Sequence, residues 1–115
     1  MPPAEKQLWY EITNINDVDS PSLVIYTNRV KENIQHAIDL VGDVQRLRPH
    51  VKTHKSPDVT RMMLDAGITK FKCATIAEAE MLALTGAPDV LLAYPLTGPK
   101  VYRLMELMKQ LSLME

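Results

Sequence analysis

Short runs of strand length alternate along this chain with amphipathic stretches of helix length, and this order constrains the fold more than any other feature. The runs lie at residues 22–26, 46–51, 70–74 and 90–94. The last of them, VLLAY, is apolar on both faces, which is typical of a strand in a parallel sheet covered by helices. We therefore predict an α/β fold in which four strands alternate with four helices.

Residues that can cap a helix stand before three of the amphipathic stretches: Asn28, Ser56 and Thr75. Their short polar side chains can accept a hydrogen bond from a free N–H of the first helical turn. Glu78, three residues after Thr75, completes a capping box. Gly42 is expected to end the first helix, because glycine readily adopts the backbone conformation found after a last turn.

The last helix is predicted to begin at Pro99, because proline suits the first position of a helix. Its inner face is expected to carry four residues that recur at helical spacing: Val101, Leu104, Met105 and Met108. Most methionines of the chain lie on such stripes, so we interpret them as core residues rather than as a cofactor site.

Composition excludes several classes of protein. The 115 residues include 13 basic and 14 acidic side chains, a formal net charge of −1, so no overall field would recruit nucleic acid or an anionic membrane. The single cysteine, Cys73, offers neither a disulfide nor a cysteine-based zinc site and is expected to be buried. The N-terminus lacks a secretory signal, and no apolar run approaches the length of a membrane span, so we expect a cytoplasmic protein.

The stretch RPHVKTHKSP, residues 48–57, concentrates cations and histidines where the second predicted strand meets the next helix. Functional groups of α/β folds gather at such junctions. Alternation along the strand would place Arg48, His50 and Lys52 on one face. A row of polar side chains inside a covered sheet costs free energy unless it meets a ligand. The alternative is a solvated basic loop, which composition alone leaves open.

Lys52 is the residue whose chemistry this stretch favours. A lysine amine attacks a carbonyl group only when it is neutral, and both burial and nearby cations favour the neutral amine. Four neighbours would supply that field and would also attract an anionic cofactor or substrate: Arg48, Lys55 and, when protonated, His50 and His54. The pattern suits a Schiff base at Lys52, with Lys55 of the same loop as the competitor for this role.

His50 and His54 stand four residues apart, a spacing that suits a shared metal ion on a helix. Pro49 and the predicted strand break that geometry, and no third ligand is evident nearby. We therefore expect no metal site in this chain. Three familiar catalytic motifs do not occur: GxSxG, a glycine-rich phosphate loop and HExxH.

The motif RPHVKTHKSP resembles the signature of the D-threonine aldolase and D-serine dehydratase family. These enzymes use pyridoxal 5′-phosphate (PLP) and share the alanine racemase-like fold, called fold type III. Three further stretches resemble the family in order and spacing: SPSLVIYTNRVKENI, CATIAEAEML and DVLLAYPLTGPK. The resemblance covers about residues 10 to 110, and the motif around Lys52 is its most specific part.

The resemblance implies an α/β fold that is the N-terminal part of a (β/α)8 TIM barrel of the alanine racemase N-terminal-domain type. Residues 1–21 would be a lead-in segment and residues 22–115 the first βα units, with residues 22–26 pairing into a β-domain that follows the barrel. Lys52 would carry PLP as an internal aldimine at the end of the first barrel strand. The other residues that we assign to the cofactor are Arg48, His50 and His54.

The implied activity is that of a lyase acting on a D-hydroxy-amino acid. An aldolase of this type cleaves the Cα–Cβ bond and gives glycine and an aldehyde, whereas a dehydratase removes the α-proton and the β-hydroxyl and gives a keto acid and ammonia. PLP supplies the electron sink in both reactions. Three alternatives remain: an amino-acid racemase of the same fold, a non-catalytic PLP-binding carrier, and a folding module whose exposed edge pairs with another chain.

The chain departs from the family in what it lacks. A (β/α)8 barrel needs about 250 residues, so only the first three units would be present. In the family, a divalent metal, zinc or manganese, is held by a histidine and a cysteine near the far C-terminus, and later strands supply the loops that bind the cofactor phosphate. We therefore expect this chain alone to bind PLP weakly and to turn over no substrate, and the full-length protein to form a homodimer.

Overall fold

Four α-helices and two β-strands make up the regular structure in a computed structural model that describes residues 5–112. They are α1 (Thr27–Val41), α2 (Pro57–Asp65), β1 (Lys70–Cys73), α3 (Ile76–Thr85), β2 (Asp89–Leu92) and α4 (Pro99–Ser112). Short 3-10 turns lie at Ile15–Asp17, Val44–Arg46 and Val51–Thr53. Within the described residues, no helix has the length and apolar character that a membrane span requires.

The two strands form a parallel pair in which Lys70 lies opposite Asp89 and Cys73 lies opposite Leu92. α3 connects them as the crossover helix that a parallel pair requires. The predicted alternation of strands and helices is therefore confirmed from α2 to α4.

The strand predicted at residues 46–51 is reduced in the structure to a single parallel bridge, between His50 and Lys72. 3-10 turns precede and follow it. Pro49 has no N–H to donate to a ladder, and its carbonyl oxygen accepts the Lys72 N–H at 2.9 Å. The prediction is therefore wrong about the length of this strand, but the segment lies beside β1 at the first strand position of the sheet.

One side of the sheet packs against the helices. Phe71 and Cys73 of β1 are fully buried and belong to one apolar cluster with Ile34 of α1 and Leu82 of α3. The expected burial of Cys73 is thus confirmed. Because side chains alternate along a strand, the lysines of β1 face the other way. This other side, called the open face below, carries Arg48, His50, Lys70, Lys72, Asp89 and Leu91.

Polar caps begin α2 and α3 as predicted. Ser56 Oγ accepts the Val59 N–H at 3.2 Å, and Thr75 Oγ1 accepts the Glu78 N–H at 3.1 Å. Glu78 closes the capping box, because its carboxylate accepts the Thr75 hydroxyl at 2.8 Å. These caps position the two turns that border the carboxyl end of β1.

The sequence predictions before α1 are only partly correct. The helix begins at Thr27, so Asn28 lies inside its first turn and is not the cap; the capping position is held by Tyr26, which makes no side-chain capping bond. Residues 22–26 form no strand, because no segment within residues 5–112 offers them a paired edge. Their pairing with a later β-domain stays a prediction.

Aromatic contacts tie the lead-in segment to α1. The Trp9 ring packs edge to face on Tyr26 and Tyr10, with centroids 5.2 and 5.6 Å apart. The Arg29 guanidinium lies 4.0 Å from the Trp9 ring centroid, and the Tyr26 hydroxyl donates to the Tyr10 carbonyl at 2.6 Å. The start of α1 is therefore held in place by residues of the lead-in.

α4 begins at Pro99 as predicted, but its packed face is different. The prediction included three residues that are exposed in the structure: Val101, Met105 and Met108. Leu104, the fourth residue of the prediction, is half-buried, and so is Leu107, which packs against the core. The methionines that do pack against the core are Met62, Met63 and Met81. Several sides of α4 are apolar, so spacing alone did not identify the packed one.

Candidate functional site

Lys52 lies in a tight turn that follows the bridge between His50 and β1. Val51 is fully buried, and its carbonyl oxygen accepts the N–H groups of His54 at 3.2 Å and Lys55 at 2.8 Å. Lys55 adopts a left-handed φ of 52°, which turns the chain toward α2. The turn thus leaves Lys52 exposed at the carboxyl end of the first strand position, where α/β barrels place their functional groups.

The two histidines beside Lys52 are held by the same kind of local hydrogen bond. His50 Nδ1 accepts the Lys52 N–H at 3.2 Å, and His54 Nδ1 accepts the Ser56 N–H at 2.9 Å. A ring nitrogen that accepts a hydrogen bond carries no hydrogen, so each neutral ring has its hydrogen on Nε2. Each imidazole therefore presents an N–H donor on the side remote from its own turn.

The surroundings favour the neutral form of both rings. Burial lowers the pKa of His50, the ammonium groups of Lys52 and Lys72 lower it further, and Glu78 acts in the opposite direction. Burial also lowers the pKa of His54. The Nε2 atom of His54 is buried and has no hydrogen-bond partner within the described part of the chain, which is unusual for a polar atom in a folded interior.

The free energy of unfolding is expected to decrease as the pH falls from about 7 to about 5. In that range the unfolded chain takes up a proton on His54, whereas the folded chain resists it because burial lowers the pKa of the ring. Stability is therefore lost as the pH falls through the ordinary histidine value. Urea unfolding at a series of pH values measures the slope.

His54→Asn is the informative variant, because asparagine can still accept the Ser56 N–H but does not titrate. We expect this variant to make the free energy of unfolding depend less on pH. The dependence that remains is attributed to His50, whose pKa is also lowered. His36→Asn, on the exposed side of α1, is the control that makes the same substitution away from the buried turn. A wild-type slope in His54→Asn would show that burial of this ring does not govern the effect.

Arg48 is engaged in a contact that crosses the sheet. Its guanidinium donates to the two carboxylate oxygens of Asp89 at 2.7 and 2.9 Å and to the Phe71 carbonyl oxygen at 3.1 Å. The hydrogen bond to Asp89 is the largest cause that raises the pKa of Arg48, and it lowers the pKa of Asp89. The contact joins the segment before Lys52 to β2. It does not test the cofactor-binding role predicted for Arg48, which stays a prediction.

Lys55 and Lys52 occupy different surroundings. Lys55 lines a cavity of about 300 Å³ whose other walls include Glu78 and Met81 of α3. Lys52 instead lies next to His50, whose ring belongs to the open face. The two candidate amines are thus directed to different parts of the molecule.

Two charged residues near the site were not singled out by the sequence. Lys72 is the bridge partner of His50, and Asp89 is the partner of Arg48. Alternation along KFKC could have placed Lys72 on the face of Lys70, opposite the core. Asp89 carried no such signal, because its contact with Arg48 joins residues 41 positions apart.

Two further groups at this end of the sheet, the Glu78 carboxylate and the Cys73 thiol, belong to buried residues. Glu78 is 5% exposed, and its carboxylate also accepts the Ala74 N–H at 3.4 Å. Burial raises the pKa of the Cys73 thiol, as does the charge of Glu78, so this cysteine is held as an unreactive thiol. Across residues 5–112, no three histidine, cysteine, aspartate or glutamate side chains are grouped so that they could hold a metal ion.

The arrangement is a primary amine at the carboxyl end of the first strand position, flanked by imidazoles whose Nε2–H groups are donors and by a second lysine. An amine in such a place can bond covalently to a carbonyl compound, and the donors around it can hold anionic groups. The fold and the site thus define a lysine-bearing segment of an α/β barrel.

Comparisons with known proteins agree with this class. The family described as alanine racemase, N-terminal domain, matches residues 25–113. D-threo-3-hydroxyaspartate dehydratase from Delftia sp. (strain HT23) is 33% identical over 96 residues, which are 81% of this chain and 25% of that protein. D-threonine aldolase from Arthrobacter sp is 31% identical over 84 residues, 71% of this chain and 22% of that protein. The chain spans about a quarter of the length of these curated relatives.

Solved structures show the same relationship. Two solved variants of D-threo-3-hydroxyaspartate dehydratase match this chain, each with a TM-score of 0.67 at 33% identity. One variant has a histidine replaced by alanine. The other has a cysteine replaced by alanine and is in the metal-free form. The match covers 81% of this chain and 24% and 25% of theirs. This chain belongs to the alanine racemase N-terminal domain family, and it has the fold of the N-terminal part of that barrel. The predicted resemblance to the D-threonine aldolase group is confirmed.

Proposed function

We propose that this chain is the lysine-bearing part of a PLP-dependent lyase that acts on D-hydroxy-amino acids, with Lys52 as the residue that holds the cofactor. The observation that carries the proposal is the position of Lys52. It is an exposed amine at the carboxyl end of the first strand position, directly after the bridge to β1. The relatives named above are a dehydratase and an aldolase, which supports a lyase rather than another activity of the same fold.

The residues around Lys52 fit a carbonyl cofactor with an anionic arm. The Lys52 amine would hold the cofactor through its aldehyde group. His50 and His54 contribute neutral N–H donors, and the Nε2 atom of His54 is a buried donor without a partner in the described part of the chain. PLP, when bound, supplies an electron sink that stabilises negative charge at the substrate Cα. The chain's own share of the chemistry is thus to hold and orient the cofactor.

The position of the segment that precedes Lys52 indicates how the chain could orient the cofactor. Buried Val51 fixes the turn, and the bridge between His50 and Lys72 fixes its height against β1. A rigid support of this kind favours a defined geometry at the reacting atom. The side chain that selects between bond cleavage at Cβ and loss of a β-hydroxyl is not identified among these residues.

We extend the proposal to the whole protein as follows. Residues 1–21 are a lead-in and residues 22–115 are the first βα units of a cytoplasmic, homodimeric enzyme. A divalent metal, zinc or manganese, would be bound by residues outside this chain. One of the relatives has been solved in a metal-free form, which agrees with a metal in that enzyme. The alternatives remain an amino-acid racemase and a non-catalytic PLP-binding carrier, and product analysis on the whole protein separates them.

Mixing the purified chain with PLP is expected to produce the visible absorbance of a lysine-bound pyridoxal, and borohydride should remove it by reduction. The Lys52→Ala variant is expected to lose this signal, because it lacks the amine. Lys55→Ala is the matched control and should retain it, since Lys55 is directed toward α3. An undiminished signal in Lys52→Ala would assign the cofactor to another amine.

The isolated chain is expected to release neither glycine from D-threonine nor ammonia from D-threo-3-hydroxyaspartate, even with PLP added. It supplies the lysine, but it spans only about a quarter of the length of the relatives. Amino-acid analysis and an ammonia assay measure the two products. Turnover that depends on Lys52 would show that these residues suffice for catalysis.

A further inference from the structure

The open face of the sheet carries a lysine that the proposed function has not used. Lys72 of β1 is the parallel bridge partner of His50, so the two side chains stand next to each other on the same face. Its backbone is fixed there by the bond from the Lys72 N–H to the Pro49 carbonyl. The side chain is half-buried, and its charge acts on the His50 ring.

The other basic residues of the open face already have partners. Arg48 is paired with Asp89, and the Lys70 amine donates to the Gln45 carbonyl at 3.0 Å. The Lys72 amine makes no such bond to any residue in the range 5–112. Within this range its ammonium group is therefore a cation without a counter-ion, next to a ring whose Nε2–H is a donor.

One carboxylate lies near enough to act on the same ring, that of Glu78. It is engaged in the capping box of α3, where it accepts the Thr75 hydroxyl at 2.8 Å and the Ala74 N–H at 3.4 Å. Among the described residues, two ammonium groups, those of Lys52 and Lys72, thus act on His50 against a single carboxylate. The balance of charge around the ring is positive.

We propose that Lys72 and His50 form a binding site for an oxyanion on the open face, next to the amine of Lys52. The ammonium group and the Nε2–H are donors of the kind that hold phosphate or carboxylate through charge-assisted hydrogen bonds. The identity of the anion rests on the proposed function: because the cofactor phosphate is expected to be held by loops of later strands, the anion is the carboxylate of the amino-acid substrate. Lys72 thus contributes to the choice of the substrate held beside Lys52.

Nuclear magnetic resonance of the His50 ring tests the site without the cofactor. Inorganic phosphate and acetate are added separately to the whole chain at constant ionic strength, and the ring signal is assigned as the one missing from His50→Gln. We expect a saturable shift of the His50 signal. Lys72→Gln should weaken the affinity by about tenfold, the value for loss of a hydrogen bond to a charged group. Lys72→Arg, which keeps the charge, should retain it.

Lys70→Gln is the matched control, because it removes a lysine from the same strand and face whose amine is already bonded to Gln45. It should bind like the wild type. A shift given by acetate supports the carboxylate site, whereas a shift given only by phosphate contradicts it. No saturable shift, or equal affinity in Lys72→Gln, overturns the inference. Labelling of Lys52 by PLP and borohydride in the same variants tests the proposed function separately. The anion site and the proposed function can therefore fail independently.

Discussion

Replacing Leu82 by alanine is expected to lower the free energy of unfolding by about 2–5 kcal/mol. Leu82 is fully buried on α3 and belongs to the apolar cluster that includes Phe71 and Cys73 of β1. The substitution leaves a cavity between helix and sheet, because closely packed neighbours relax only in part. Urea unfolding followed by circular dichroism measures the loss.

Leu84 offers the matched control for this experiment. It lies on the same helix and undergoes the same chemical change, but it is 61% exposed. Leu84→Ala is expected to alter the free energy of unfolding by less than about 0.5 kcal/mol. Equal losses at the two positions would mean that α3 does not pack through the face described above.

Reversing the charge of Arg48 is expected to destabilise the chain and to reduce the attachment of PLP to Lys52. Arg48→Asp places a carboxylate opposite Asp89 and removes the donor to the Phe71 carbonyl oxygen. Within residues 5–112 the segment before Lys52 has one bridge to β1, so the guanidinium contact contributes to holding it in place. The urea midpoint and the fraction of Lys52 labelled by PLP and borohydride measure the two effects.

The exchange variant Arg48→Asp with Asp89→Arg should restore the stability and the labelling of Lys52 in part, because an ion pair again joins the two positions. Arg61→Asp is the control, since Arg61 and Asp58 form an exposed contact of 3.5 Å that contributes little. The pKa of Asp89 is lowered by Arg48, so the effect of Arg48→Asp should be present at neutral pH and fade below about pH 4. Failure of the exchange to restore either property argues against a role for this ion pair.

Local signals predicted the helices well. Ser56 and Thr75 cap their helices through bonds between neighbouring residues, and such bonds depend little on the rest of the fold. Asn28 could have capped α1 equally well, but the chain enters that helix two residues earlier, from a segment held by Trp9. A cap can therefore be predicted only where tertiary contacts do not move the helix start.

The strands were predicted less well, because a strand exists only through its neighbours. Residues 22–26 have the composition of a strand but no paired edge in the described part of the chain. Pro49 limits the next strand to one bridge, although Lys72 still bonds to its carbonyl. α4 shows the same dependence, since its packed face was set by contact with the core rather than by spacing.

At the site, the sequence placed Lys52 and its two histidines together, because all three lie in one turn. It could not show that His50 and His54 accept backbone N–H groups through Nδ1, since that follows from the fold of the turn. Nor could it show that Asp89, far away in sequence, pairs with Arg48. Long-range pairs of this kind appear only when parallel strands are brought side by side.

The central claim is that Lys52 is the amine to which the cofactor is attached. Mass-spectrometric mapping of the chain after treatment with PLP and borohydride tests it most directly. We predict that the phosphopyridoxyl group is found on the peptide that contains Lys52 and that the modified residue is Lys52 itself. Labelling concentrated on Lys55 or Lys72, or spread evenly over the exposed lysines, would contradict the claim.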